Sequence, residues 1–138
     1  MSAPDFLDTN VFVYAYENAD PRKQLIAQEM LKSAIAGDMI ASPQVIAEFA
    51  STLLYKLSPR FVPERVDVVL HALASIKLVA PDLGMVQRAV EAHATYGIHF
   101  YDGMVVASAE RGGCERIWSE DLNAGQKYFG VTVANPFA

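Results

Sequence analysis

Apolar residues fall along this chain in two alternating patterns. Short apolar runs are interleaved with longer stretches in which apolar positions recur every three or four residues. The short runs predict strands at Asp5 to Leu7, Met39 to Ala41, Lys77 to Ala80, Arg116 to Trp118 and Val131 to Ala134. The periodic stretches predict helices. Val11 to Tyr16 reads as the first turns of a helix after Asp8. Asp20-Pro21 is a capping Asp followed by Pro at the first helical position, and the stripe Ala27, Leu31, Ala34 and Ile35 runs from it to a stop at Gly37. Ser42-Pro43 repeats that signal ahead of Val45, Phe49, Thr52 and Leu53. Pro63 opens a helix carrying Val66, Val69, Leu70 and Leu73. Asp82 caps another, with Val86, Ala89, Val90 and His93, that ends at Gly97, and Tyr101 to Arg111 is halted by Gly112-Gly113. Leu57 to Pro63 is too short to divide domains and reads as a loop. Strands that alternate with helices imply crossover connections. The expected fold is therefore a single α/β/α sandwich over residues 1–138, with a mainly parallel, roughly five-stranded central sheet flanked by helices. In such folds ligands gather beyond the carboxyl ends of the strands.

Four acids stand out against this pattern. Asp8 follows Phe6 and Leu7 at a strand's carboxyl end, and Asp121 closely follows Ile117-Trp118 at another. Glu48, three residues after Val45 and four before Thr52, is expected on the inward face of its helix. Asp102 heads the stripe of Val105, Val106 and Ala109. An unpaired carboxylate beside a core is costly or titrates abnormally, and the stripes around Glu48 and Asp102 contain no Lys or Arg. Taken singly, each acid reads as a cap or a solvated edge: Asp8 as the cap of the helix after it, Asp121 as the cap of a turn at Leu122 to Ala124. Taken together, at one end of a sheet, they repel by about 4 kcal/mol per pair at ~4 Å and an effective dielectric of 20. A divalent cation turns that repulsion into coordination, and an all-oxygen donor set favours Mg²⁺ or Mn²⁺ over zinc.

Composition narrows the class. With 52% hydrophobic residues in 138, the chain is globular and long enough to bury a core unaided. One cysteine, Cys114, excludes an internal disulfide and a Cys-rich zinc site and leads us to expect a reducing, cytoplasmic setting. The segment Met1 to Asp5 lacks the basic start and long apolar core of a leader, and no apolar run is long enough to span a membrane. Mean hydropathy of +0.17 is high for a small soluble chain and hints at a covered apolar surface. Eleven basic against 16 acidic residues give a net charge of −5, which argues against a nucleic-acid partner. Setting the four acids aside leaves the rest close to neutral. Arg22, Lys23, Lys56, Arg60, Arg65, Arg111 and Arg116 are then candidates for phosphate contact.

These residues resemble the PIN-domain family and, within it, the VapC-type toxins of toxin–antitoxin pairs. Phe6-Leu7-Asp8-Thr9-Asn10-Val11 is similar to the family's opening strand, and Val45-Ile46-Ala47-Glu48-Phe49 to its helix bearing a single Glu. Tyr101-Asp102-Gly103-Met104-Val105-Val106-Ala107-Ser108-Ala109 resembles its Asp-led helix, and Trp118-Ser119-Glu120-Asp121-Leu122 its Thr-x-Asp strand end. The matches come in the family's order across nearly the whole chain. Ser119 stands where Thr is commoner and keeps the hydroxyl. Gly103 stands where Ala is commoner and weakens the helix start. The resemblance implies a metal-dependent endoribonuclease using one or two Mg²⁺ or Mn²⁺ ions. It implies Asp8 and Asp102 as direct ligands, Asp121 and Glu48 completing the site directly or through water, and Thr9, Asn10 and Ser119 orienting them. It further implies an RNA substrate, a cognate antitoxin and a homodimer.

Other readings compete. A phosphatase of the haloacid-dehalogenase kind wants Asp-x-Asp, and Asn10 occupies the second acidic position. A receiver domain wants adjacent acids on the first strand. A non-catalytic module would use the acids for metal-dependent stability or act through protein contacts. His71 and His93 read as helix-surface or packed residues, and His99, three residues before Asp102, as a loop or packing residue. Phe12, Tyr14 and Tyr16 read as core or dimer contacts.

Overall fold

The start signals in the sequence become hydrogen bonds in the structure, a computed structural model that describes residues 3–138. Met1 and Ser2, part of the segment read above as no leader, lie outside the described residues. Asp20 accepts from Arg22 N–H and Lys23 N–H at the head of α2 (Pro21–Ile35). Ser42 accepts from Val45 N–H at the head of α3 (Pro43–Tyr55), and Asp82 from Met85 N–H at the head of α5 (Leu83–Tyr96). Gly97 closes α5 with φ of 71°, a left-handed conformation that suits a residue without a Cβ. The remaining helices are α1 (Thr9–Tyr16), α4 (Pro63–Ala72) and α6 (Phe100–Arg111). His99 caps α6: its Nδ1 accepts from Tyr101 N–H at 3.1 Å, so the helix starts one residue earlier than its apolar spacing suggests.

Five strands form one sheet in the order β2-β1-β3-β5-β4: β1 (Asp5–Leu7), β2 (Met39–Ile40), β3 (Arg116–Trp118), β4 (Lys127–Tyr128) and β5 (Val131–Ala134). Every pairing is parallel except that of β4 with β5. Helix α1 packs on α2 and α3, α5 packs on α6, and α6 also lies against β3 and β5. Phe6, Leu7, Val11, Phe49, Val106 and Ile117 are fully buried in the shared core. Each such side chain stabilises the fold by roughly 1.5–3 kcal/mol. No helix among the described residues is long and apolar enough to cross a membrane.

The strand expected at Lys77 to Ala80 does not form. That segment makes one bridge, Ala41 with Leu78, with Ala41 N–H donating to Lys77 O and Val79 N–H to Ala41 O. Its partner strand is only two residues long, and Pro81 has no N–H with which to extend the ladder. The fifth strand is instead β4, which turns back onto β5 at Phe129-Gly130.

Candidate functional site

Strands β1 and β3 run in register, Leu7 opposite Trp118, and end at one rim. The residues that follow are Asp8 and Ser119. Asp8 N–H donates to Trp118 O at 3.1 Å, which carries the pairing one residue past the strand. Asp8 Oδ1 accepts from Thr9 N–H at 2.8 Å, making the helix cap that the sequence allowed. Its Oδ2 accepts from Ser119 Oγ–H at 2.8 Å. Asp8 is 6% exposed and has no Lys or Arg partner among the described residues. Burial pushes its pKa from 3.8 up to about 6; the bonds from Ser119 and Thr9 oppose this, and the charges of Asp121 and Asp102 add to it.

The other three acids border the same rim, with less burial than their spacing suggests. Asp102, in the first turn of α6, is half-buried. Desolvation raises its pKa; the nearby His99 lowers it, and Asp121 and Glu48 raise it further. Glu48 is exposed, contrary to the inward placement expected of it. The buried stripe of α3 is Val45, Phe49 and Leu53, and Glu48 lies at its margin. Its Oε2 accepts from Thr9 Oγ1–H at 3.2 Å and its Oε1 from Gln44 Nε2–H at 2.9 Å. Gln44 also reaches Tyr101 O and so links α3 to the start of α6. Asp121 is exposed as well. It does not cap the turn assigned to it: Ser119 Oγ does, accepting from the N–H groups of Asp121 and Leu122 at 3.1 and 3.3 Å.

Asn10 Oδ1 accepts from Glu120 N–H at 3.3 Å, while its buried Nδ2 has no partner among the described residues. Thr9, Asn10, Glu48, Lys56, Glu120 and Asp121 line a cleft of about 440 Å³. Glu120 is a fifth acid at this rim, which the sequence reading passed over. It accepts from Tyr14 Oη–H and Lys23 Nζ, both at 2.6 Å, so its charge is already matched. No sequence pattern announces a pair whose members lie 97 residues apart.

The donor set suits a hard divalent cation: oxygen only, electrostatically coupled, and without basic partners. Yet among the described residues no three acids stand close enough together to hold one ion. A closed all-protein cage does not fit. Attachment through one or two carboxylates, completed by water and substrate oxygens, is the ordinary habit of magnesium and does fit.

The basic candidates divide. Arg22 donates to Phe137 O, Lys23 to Glu120, Arg111 pairs with Asp82 and Arg116 with Asp5. Lys56, Arg60 and Arg65 have no acidic partner among the described residues. Phe12 and Tyr16 pack on Phe49, as core residues do, and Tyr14 packs on Phe137. Burial pushes the Cys114 thiol up to about 12, which leaves it unreactive.

The chain matches the family model described as PIN domain over residues 6–129. No curated protein matches at a significant level. Among solved structures, a DNA-bound VapBC from Salmonella typhimurium superimposes with a TM-score of 0.70 at 16% identity, over 98% of this chain and 99% of that one. A toxin–antitoxin complex from Klebsiella pneumoniae gives 0.68 at 16%, over 98% of both chains. Mycobacterium tuberculosis VapC20, described as a sarcin–ricin loop cleaving toxin, gives 0.65 at 16%, over 85% of this chain and 89% of that one.

Proposed function

The chain belongs to the PIN domain family, and from that premise we propose that it is a metal-dependent endoribonuclease, the toxin of a toxin–antitoxin pair. One observation carries the reading. Asp8 is buried at a strand end with no cation of its own, in the field of Asp102 and Asp121, and its pKa is raised to about 6. Buried acids are ordinarily paired with a cation; this one has none among the described residues, and a charge from outside the chain would match it.

In this reading Asp8 and Asp102 hold one or two Mg²⁺ or Mn²⁺ ions, with Asp121 and Glu48 engaging them directly or through water. A bound ion supplies neutralising charge at the phosphate and a more acidic water. Ser119 fixes one oxygen of Asp8 while bracing the Asp121 turn. Thr9 holds the other Asp8 oxygen through its N–H and Glu48 through its hydroxyl, so one residue orients two acids. The VapC20 and Klebsiella likenesses support the choice of RNA as substrate and a cognate antitoxin as partner. We extend the proposal to a homodimer in the cytoplasm, which suits the lone buried thiol.

The spread of the acids favours one alternative, a non-catalytic module. Incubation of the purified protein with single-stranded RNA separates the two. Cleavage with Mn²⁺ or Mg²⁺, stopped by EDTA and absent in folded Asp8→Asn, is expected. A well-folded wild type that leaves RNA intact with either ion would establish the alternative.

A further inference from the structure

The chain's cations are distributed unevenly. Six of the eleven basic residues are engaged: Arg22 with Phe137 O, Lys23 with Glu120, Lys32 with Glu29, Arg88 with Glu91 and Glu110, Arg111 with Asp82, and Arg116 with Asp5. Of the remaining five, Lys77 borders the cleft that holds Asp5, at the opposite end of β1, and Lys127 lies on β4. The other three, Lys56, Arg60 and Arg65, fall within ten positions between the end of α3 and the start of α4.

That segment adjoins the acidic rim. Lys56 lines the cleft that contains Glu48 and Asp121. It also lines a second cleft of about 720 Å³, whose walls include Tyr16, Thr52, Phe61 and Arg65. Glu17, Thr52 and Lys56 are common to both, so the two clefts form one trough. Arg60 sits on the connecting loop between Pro59 and Phe61, which both line the second cleft. The Arg65 guanidinium lies over the Phe61 ring, its Cζ 3.9 Å from the centroid.

We propose that this trough is the path of the RNA strand leaving the acidic site, with Lys56 and Arg65 contacting successive phosphates or, for Arg65, stacking under a base. The proposal rests on the nuclease reading and adds to it the residues that hold the substrate. Acids that attract a metal also repel a polyanion, so a strand drawn to this rim needs compensating charge next to it. Unpaired guanidinium and ammonium groups in a continuous trough supply it. Arg and Lys in such grooves track the backbone without reading sequence, and flat cationic or aromatic surfaces accept bases of any kind.

The test is fluorescence anisotropy of a fluorescein-labelled 12-nucleotide single-stranded RNA in EDTA, across a salt series, beside cleavage kinetics of the same RNA in Mn²⁺. Each phosphate contact on a single strand contributes ~0.7 to the slope of log K against log salt. The double variant Lys56→Gln/Arg65→Gln is expected to bind about tenfold more weakly at 0.1 M salt, with a slope smaller by about 1.4, and to raise KM while leaving kcat near wild type. Lys77→Gln/Lys127→Gln removes the same charge elsewhere and is expected to match wild type. Arg65→Lys separates charge from stacking and checks that loss of the Phe61 contact has not simply loosened α4. Equal binding by the two double variants overturns the path. A wild type that does not cleave RNA at all instead overturns the underlying nuclease reading, so the two failures look different.

Discussion

Strand β1 begins on one aspartate, Asp5, and is followed directly by another, Asp8, and the two are treated in opposite ways. Asp5 accepts from Trp118 Nε1–H at 2.9 Å and lies 3.6 Å from Arg116 Nε, which in turn stacks on Trp118. Asp8, three residues on, has two neutral donors, no cation and a raised pKa. The same strand and the same residue type meet the same physical problem, a carboxylate at the margin of a core. At Asp5 the fold supplies the counter-charge; at Asp8 it withholds it. Leaving a buried charge unmatched lowers stability, so the omission points to a requirement other than folding. The rim repeats the lesson within two residues: Glu120 is matched by Lys23 and Tyr14, and Asp121 has no basic partner among the described residues.

The largest expected effect tests that contrast directly. Asp8→Asn should lower metal-dependent RNA cleavage by at least about a hundredfold, more than loss of a supporting contact would, whereas Asp5→Asn should leave the rate within a factor of two. Equal losses in both, measured on the same RNA, would erase the distinction between the two ends of the strand. In EDTA, stability should move the other way. A carboxyl whose folded pKa lies above its unfolded value binds more protons in the native state, so ionising it costs stability as pH rises from about 4 to about 6. With the folded value at about 6 against 3.8, the cost at neutral pH is about 3 kcal/mol. Asp8→Asn should therefore be more stable than wild type at pH 7.5 in urea melts, and the advantage should disappear below about pH 4. Added Mn²⁺ should narrow that gap, because only the wild type gains a strong ligand, and protons should compete with the metal below about pH 6.

A smaller effect concerns Gly103, whose Cβ position would lie 2.6 Å from Ala89 O on α5. Gly103→Ala should destabilise by about 1–3 kcal/mol, read as a lower urea midpoint, and should slow cleavage by displacing the neighbouring Asp102. Smallest is the stability change in Asp5→Asn. Arg116 is nearly half exposed, so the lost pair is worth about 1 kcal/mol or less.

Gly103 also marks a limit of reading a sequence. Read locally, it weakens a helix start where the family prefers Ala. In the structure it is the condition for α5 and α6 to lie so close, a fact about two helices that no single-helix argument contains. Capping pairs such as Asp20-Pro21 and Ser42-Pro43 were legible because their physics is complete within four residues. Strand β4 was not: its turn puts Phe129, a residue with a Cβ, at φ of 49°, held by Tyr96 Oη accepting from Phe129 N–H and by Arg88 over the Phe129 ring. Those supports come from more than thirty residues away. The acids follow the same division. Asp8 and Asp102 could be placed from the apolar residues beside them. Periodicity overestimated the burial of Glu48, because a helix stripe has margins and three-residue spacing does not say which side of the edge a residue takes.

The close approach at Gly103 gives the site two halves of unequal stiffness. Asp8 is pinned by a strand end and Asp102 by a helix pressed against its neighbour's backbone, so these two form a fixed jaw. Glu48 and Asp121 project from exposed positions, with Glu48 held there through Thr9 and Gln44 alone. If the site takes an ion as proposed, the outer pair can make the adjustment while the core stays undisturbed.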